Sequence, residues 1–250
     1  MPRLPALSLL LLALAVHAAP AQADPVAGRY TEGLTRGFPV LRAQSCEVLA
    51  HGDLVQVAYA DRVESRLVFR FRDGSLYDET VTYTQREIFT LIAYRIVQRG
   101  PSFPESLEAT VTRATGRYDV RYRADQDSPE EIITGRIDLP TDAYNGLMGT
   151  LLKNLEPGRS QLVSIVAFTP QPRVVKVLLR PAAEEPVTMG PTAVPATRYH
   201  IKPQLGLLAS LLVADLPDVK TWIAQGDAQA FLKFEGPLFF MGPIWRVDWN

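Results

Sequence analysis

The sequence predicts a mainly β protein: one strongly curved antiparallel sheet, or an open or half barrel, with a single amphipathic helix packed on it. Three observations predict this class. Apolar and polar residues alternate with a period of two over most of the chain, turn-forming residues separate these runs, and only one stretch has helical periodicity. Since no internal repeat or linker divides the chain, we expect residues 24–250 to form one β-rich domain.

The N-terminus, residues 1–23, has the three parts of a secretory signal peptide. Arg3 supplies the positive start, Leu7–Val16 the apolar stretch, and Ala21-Gln22-Ala23 the small residues that a signal peptidase recognises. The apolar stretch is too short to span roughly 30 Å of hydrocarbon as a helix. We therefore expect a soluble exported protein of the bacterial envelope, periplasmic or secreted and not membrane-spanning.

Strands are predicted wherever the period of two is sustained. In residues 66–72, for example, Leu67, Phe69 and Phe71 share one face, three arginines lie on the other, and Asp73-Gly74 closes a turn. The other predicted strands are Thr80–Tyr83, Phe89–Val97, Leu107–Thr112, Tyr118–Arg123, Gln161–Phe168, Arg173–Arg180, Thr197–Gln204, Val219–Ala224, Ala230–Glu235 and Ile244–Trp249.

Two predictions about the second half of the chain depend on less regular patterns. Gln161–Phe168 and Arg173–Arg180 are apolar on both faces, which is typical of central strands covered on two sides. Pro181–Ala196 contains four prolines and little periodicity, which predicts a long surface loop.

The helix is predicted over Thr141–Leu155. Its apolar residues recur at the spacing of one helical stripe, Thr141 is a suitable N-cap, and Pro157-Gly158 ends it. A lone amphipathic helix in a β protein has to bury its stripe, so we expect it to pack on the sheet.

Sequence motifs of catalysis are missing. The chain has no Gly-x-Ser-x-Gly, His-Glu-x-x-His, Cys-x-x-Cys or phosphate-binding loop, so we expect no cofactor and no metal, and no enzyme activity is predicted. A hydrolase with a dispersed site remains an alternative, and it would use His51 or His200 beside a carboxylate or Cys46. The net charge of −1 excludes the electrostatic footprint of a nucleic-acid-binding protein.

Two pairs of adjacent acidic residues, Asp78-Glu79 and Glu130-Glu131, are predicted to be solvated strand residues. Neighbours in a strand point to opposite faces, so neither pair brings its two carboxylates together.

Two apolar stretches, Leu205–Val213 and Leu238–Met241, have no place in a plain meander of strands. Exposed, they would form contact sites for an envelope protein or a membrane surface. Buried, they would act as plugs that close the ends of the sheet, and the sequence leaves both alternatives open.

Four segments taken together resemble an uncharacterised family of exported bacterial β-rich proteins, a domain of unknown function. They are Phe69–Glu79, Gln98–Pro104, Leu151–Leu155 and Gly242–Val247. The architecture is loosely similar to that of the lipoprotein-localisation carriers, in which a half-barrel with helices on its concave side holds acyl chains. This likeness implies a concave, apolar binding face.

The function expected from these observations is the binding of an apolar ligand, an acyl chain or lipid-like group, on the concave face of the sheet. The predicted contacts combine the helix stripe with the second apolar stretch: Tyr144, Met148, Leu151, Phe239, Phe240 and Met241. The alternative is a non-catalytic structural or interaction protein of the envelope, with a filled core and no ligand cavity.

Overall fold

The computed structural model describes residues 25–204, 219–227 and 229–249. The predicted signal peptide (residues 1–23) and Leu205–Val213 lie outside these residues.

The described chain forms fifteen strands and one helix. Their bounds are β1 Thr35–Gly37, β2 Pro39–Arg42, β3 Val48–Ala58, β4 Val63–Phe71, β5 Leu76–Gln85, β6 Phe89–Arg99, β7 Ser106–Thr112, β8 Arg117–Arg123, β9 Glu131–Arg136, α1 Met148–Asn154, β10 Gln161–Thr169, β11 Gln171–Met189, β12 Thr192–Gln204, β13 Val219–Ala224, β14 Phe231–Gly236 and β15 Trp245–Trp249.

All of these strands belong to one antiparallel sheet, which together with the single helix confirms the predicted fold class. The strand order is β10-β11-β12-β13-β14-β15-β2-β3-β4-β5-β6-β7-β8-β9, and β1 pairs with β3. The C-terminal and N-terminal parts of the chain meet where β15 pairs with β2, with Val247 opposite Leu41. The end strands of this order, β9 and β10, do not pair with each other in the described chain.

The sheet is strongly curved. Tyr94 on β6 stacks on Phe168 on β10 with their ring centroids 6.2 Å apart. About ten strand spacings separate β6 from β10 along the sheet, which would be roughly 48 Å if the sheet were flat. The sheet therefore folds back on itself. We call its inward side, which carries the main hydrophobic core, the core face, and the opposite side the outer face.

The core is built from large side chains of the core face and of α1, because the curved sheet encloses a thick interior. Its largest fully buried members are Tyr83, Tyr144, Phe69, Phe89, Leu41, Leu91, Leu147, Leu151, Leu152, Leu179 and Ile223.

The helix is shorter than predicted, since it begins at Met148 and not at Thr141. Gly146 adopts a φ of +70°, a left-handed conformation that interrupts a right-handed helix. A side chain there would also lie 3.1 Å from Val81, so the backbone approaches the sheet closely. The apolar stripe is buried as expected, but only its second half is helical.

The first half of the predicted helix instead runs along the free edge of β10. Ala143 forms a parallel bridge with Ser164, and the Asn145 side chain both accepts from the Val166 N–H and donates to its carbonyl, each at 2.8 Å. The prediction that Gln161–Phe168 is a central strand is therefore wrong. β10 is an end strand: β11 pairs with one of its edges, and residues 143–145 run along the other.

The prediction of a surface loop over Pro181–Ala196 is also wrong. It is a two-stranded ribbon, formed by residues 181–189 of β11 and 192–195 of β12, with Pro186 directly opposite Pro195. The pairing of β10 with β11 ends at Leu179, so the ribbon strand has a free edge on that side. Proline lacks an N–H and is tolerated at such an edge, where no neighbouring strand needs the donor.

Within the described part of the chain there is no helix of the length and apolarity that crossing a membrane requires.

Candidate functional site

The three predicted contacts near the helix differ in accessibility. Tyr144 and Leu151 have no exposed surface, whereas Met148 is half-buried against the core. The Tyr144 hydroxyl accepts a hydrogen bond from the Val26 N–H at 3.0 Å. Tyr144 and Leu151 therefore fill the interior in this conformation, and Met148 is the one of the three that retains surface for another molecule.

The three predicted contacts of the second apolar stretch divide in the same way. Phe239 packs into an aromatic cluster, with its ring 5.5 Å from Phe103 and 5.8 Å from Trp245. Phe240 and Met241 are 58% and 53% exposed at the tip of the turn. The stretch therefore combines both alternatives: Phe239 packs inward as a plug, and the next two residues form an exposed apolar tip.

These two groups of predicted contacts lie at opposite ends of β6. Val26, which binds Tyr144, accepts a hydrogen bond from the N–H of Phe89 at the start of that strand. Gln98 near its end donates to the Leu238 carbonyl at 2.8 Å. Nine residues of extended chain span roughly 30 Å, so the structure does not bring the six residues into one site.

Between these ends, the core face carries a carboxyl group that the sequence analysis missed. Glu79 follows Tyr77 and precedes Val81 and Tyr83 on the same face of β5, and it accepts a hydrogen bond from the Tyr94 hydroxyl at 2.7 Å. The Tyr77 hydroxyl is its second hydrogen-bond partner. Burial raises the pKa of Glu79, and the same burial holds the pKa of both tyrosines well above 10.

The environment of Glu79 is unusual for a core carboxyl in two respects. The described residues provide no ion-pair partner for it, only the two hydroxyl donors. It is nevertheless not fully buried, and neither is Leu67, its direct neighbour across the strand pair. Glu79 is therefore a polar group on the apolar core face, in a residue that is only partly buried. Its surroundings are the candidate binding site.

A hydrogen-bonded chain connects this carboxyl to the far end of the sheet. The Tyr94 hydroxyl also interacts with the side chain of Asn145, which in turn binds both backbone groups of Val166. The ring of Tyr94 also stacks on Phe168, which lies on β10 like Val166. Tyr94 is therefore fixed from two sides, and its hydroxyl is held in position to donate to Glu79.

The prediction that both Asp78 and Glu79 are solvated is wrong. Asp78 is only 6% exposed on the outer face, where Arg66 binds both of its oxygens at 2.9 and 2.7 Å and Arg95 lies 3.8 Å away. These arginines hold the pKa of Asp78 below its usual value. The period of two in the sequence could have revealed the position of Glu79, because its neighbours Tyr77, Val81 and Tyr83 define the apolar face of the strand. Glu130 and Glu131 are exposed, as predicted.

The residues of the hydrolase alternative are not assembled by the described contacts. The Cys46 thiol, in an exposed turn, contacts the Arg246 guanidinium at 3.5 Å. His51 on β3 and His200 on β12 are separated by five strand spacings, roughly 24 Å along the sheet. The described residues also contain no group of three or more His, Cys, Asp or Glu placed to hold a metal ion.

Comparison with known proteins adds no relative: no family model, no curated protein and no solved structure matches this chain.

Proposed function

We propose that this protein is exported and binds an apolar ligand, an acyl chain or lipid-like group, on the core face of its sheet. The observation that carries the proposal is Glu79, a carboxyl on the apolar core face that has no ion-pair partner among the described residues and belongs to a residue that is only partly buried. Ligand sites are typically concave and apolar, with a few polar groups that fix the orientation of the ligand. Glu79 and the two tyrosine hydroxyls supply such groups.

The proposed contacts differ from those expected from the sequence. Tyr144 and Leu151 are walls of the core, while Met148 remains a contact because it is half-buried. The other apolar contacts are half-buried residues that pack against the same core: Leu67, Phe168, Phe231 and Phe234. The polar end of the ligand lies at Glu79 and its apolar part lies along these side chains.

The first experiment is native mass spectrometry of the mature protein purified from the envelope of the cells that produce it, followed by organic extraction. A lipid or acyl species bound in defined stoichiometry supports the proposal and identifies the ligand class. A protein that is empty, and that also takes up no N-phenyl-1-naphthylamine, an uncharged apolar dye, contradicts it.

Variants of the carboxyl test the position of the site. The dye has one N–H that can donate to Glu79, so we expect Glu79→Leu to weaken dye binding about fivefold, the effect of one hydrogen bond. Glu108→Leu is the matched control, because Glu108 pairs with Arg95 at 2.8 Å on the outer face and is remote from the core. Equal dye affinity in wild type and both variants would place the ligand elsewhere.

The second candidate function is the docking of an envelope protein or a membrane surface. The exposed side chains of Phe240 and Met241 favour it, because two large apolar residues at the tip of a turn are costly to leave in water. The other predicted docking stretch, Leu205–Val213, lies outside the described residues. An empty protein that floats with phospholipid vesicles, and loses this binding in Phe240→Ser with Met241→Ser, supports docking over the binding of an apolar ligand.

A further inference from the structure

A groove of about 440 Å³ lies on the outer face of the sheet, where the ribbon projects beyond its neighbouring strands. The ribbon residues 185–189 form one wall, and β13, β14, β15 and β2 form the floor. Binding sites for small molecules commonly have volumes of roughly 300–1,000 Å³. The groove is therefore large enough for a small organic molecule.

Two arginines stand side by side on this floor. Arg246 of β15 lies directly opposite Arg42 of β2 in the strand register. Like charges in that position repel each other and destabilise a strand pair. One carboxylate oxygen serves both, since Asp248 Oδ2 lies 2.9 Å from the Arg246 Nε and 3.5 Å from the Arg42 Nε. The pair therefore carries two positive charges, and the carboxylate within salt-bridge distance of both is that of Asp248.

The outer nitrogens of the two guanidinium groups are only weakly bound. Arg42 Nη1 contacts the Cys46 carbonyl at 3.5 Å, the outer limit of a hydrogen bond to oxygen, and Arg246 Nη2 contacts Cys46 Sγ, a weak acceptor, at 3.5 Å. Both side chains are between a quarter and a third exposed, so they are partly desolvated and yet reachable. Guanidinium nitrogens in this state bind the paired oxygens of a carboxylate or phosphate strongly.

The other charges around the groove already have partners. Glu185 accepts hydrogen bonds from the Trp222 Nε1 at 2.6 Å and from Arg198 at 3.2 Å. Lys233 lies over the Trp222 ring at 4.4 Å and pairs with Glu235 at 2.5 Å. The charged residues that line the groove are thus three cations, Arg42, Lys233 and Arg246, and two carboxylates, Glu185 and Asp248, which leaves an excess of positive charge.

Apolar side chains and the polar Thr188 complete the lining of the groove. Pro186, Val187 and Met189 line the ribbon side, and Trp249, fixed by its Nε1 hydrogen bond to the Phe231 carbonyl at 2.9 Å, lies at the end of the floor. From these contacts we propose that the groove binds a small organic anion. Its phosphate or carboxylate lies between Arg42 and Arg246, and its apolar part lies against Trp249 and the ribbon. This site is independent of the proposed ligand on the core face.

The test is a titration of the mature protein with phenyl phosphate and with benzoate, with inorganic phosphate and benzyl alcohol as partial ligands. Binding is followed by calorimetry and by tryptophan fluorescence, because Trp222 and Trp249 line the groove. We expect saturable binding of at least one of the two aromatic anions, weaker binding of inorganic phosphate and none of benzyl alcohol. The tighter of the two aromatic anions identifies the acid group.

The variant Arg42→Gln with Arg246→Gln is expected to weaken binding of that anion about tenfold or more, because charge-assisted hydrogen bonds are lost. The matched control, Arg36→Gln with Arg117→Gln, removes two arginines that are both 66% exposed elsewhere, and should leave the affinity within about twofold. Arg42→Lys is the variant to use if the double variant does not fold. It retains the positive charge but loses the forked N–H donors of the guanidinium group, so its affinity should be intermediate.

The proposal is overturned if neither aromatic anion binds saturably, if benzyl alcohol binds equally well, or if the folded groove variants, the lysine variant included, bind like wild type. Dye binding on the core face should be the same in all of these variants, so that failure of this site is distinguishable from failure of the proposed function.

Discussion

The Tyr94 hydroxyl donates to Glu79 across 2.7 Å, from one strand of the core face to the next. Asp78, the preceding residue, lies on the outer face and is bound by Arg66. Two adjacent carboxyl groups of one strand are therefore held in opposite electrostatic environments. Because burial raises the pKa of one and ion pairing lowers the pKa of the other, their effects on stability have opposite pH dependences.

Glu79→Gln is expected to reduce the loss of stability at rising pH. In the folded protein Glu79 holds its proton more tightly than in the unfolded chain, where its pKa is near 4.5. Its contribution to the free energy of unfolding is therefore greatest below that pH and falls as the pH rises through the raised folded pKa. Urea unfolding of wild type and variant from pH 4 to 8 measures this. Parallel pH profiles would contradict the burial of an ionisable Glu79.

Asp78→Asn is expected to show the opposite dependence. The folded pKa of Asp78 lies below its unfolded value of 3.8, so its ion pair stabilises the fold above that pH and the contribution is lost as the pH falls through the folded pKa. Arg66 is 56% exposed, and we therefore expect a modest loss of about 1 kcal/mol at pH 7. Urea unfolding of wild type and variant from pH 7 down to pH 2 measures both this loss and its disappearance in acid, and equal stability of wild type and variant at pH 7 contradicts the prediction.

Asn145→Leu is expected to destabilise the protein by about 2–4 kcal/mol, because two buried backbone groups of Val166 lose their partner. Amide hydrogen exchange at Val166 should accelerate with it. Asn145→Asp is the matched control: it keeps the acceptor for the Val166 N–H and loses the donor, so exchange should accelerate less. Unchanged exchange in the leucine variant would show that the segment does not protect the edge of β10.

Gly116→Ala is expected to cost about 3 kcal/mol of stability. Its φ is +64°, and a Cβ there would lie 2.6 Å from the Ile137 carbonyl oxygen. Gly74→Ala is the control, because its φ is +85° but nothing lies within 4 Å of its Cβ position; only the conformational cost, about 1 kcal/mol, applies. Thermal unfolding of both variants separates the cost of the steric clash from the cost of the backbone conformation. Equal losses of stability in the two variants would contradict the close approach of Ile137 to Gly116.

Phe239→Asp and Phe240→Asp should differ sharply, although the residues are adjacent. Phe239 packs against Phe103 and Trp245, so a charge there should lower stability by about 3–5 kcal/mol or prevent folding. Phe240 is mostly exposed, and its variant should unfold at nearly the wild-type temperature. Circular dichroism melting curves measure both, and a large loss in Phe240→Asp would show that the tip is part of the core.

The local pattern of the sequence was sufficient to predict most strands. The alternation in residues 66–72 corresponds to β4 with Phe69 and Phe71 in the core. The same alternation, applied to Tyr77, Val81 and Tyr83, would have placed Glu79 among them. Because the prediction considered only whether the two adjacent carboxylates could meet, it overlooked which face each one occupies.

The errors arose where a long-range contact overrode the local pattern. Residues 142–145 have helical spacing, but the free edge of β10 offers them backbone partners, and Gly146 permits the change of direction. Pro186 and Pro195 suggested a loop, but they face each other in a ribbon where no neighbouring strand needs their missing donors.

The sequence by itself determined the antiparallel β class, the approximate position of most strands and the amphipathic stripe, because side-chain alternation and turn chemistry are local properties. Only the tertiary structure decided that β15 pairs with β2, that Tyr94 meets Phe168 and Glu79, and that Arg42 and Arg246 share a groove. Those relationships join residues far apart in the chain. They depend on how far the sheet curves and which strand edges meet, which no local pattern encodes.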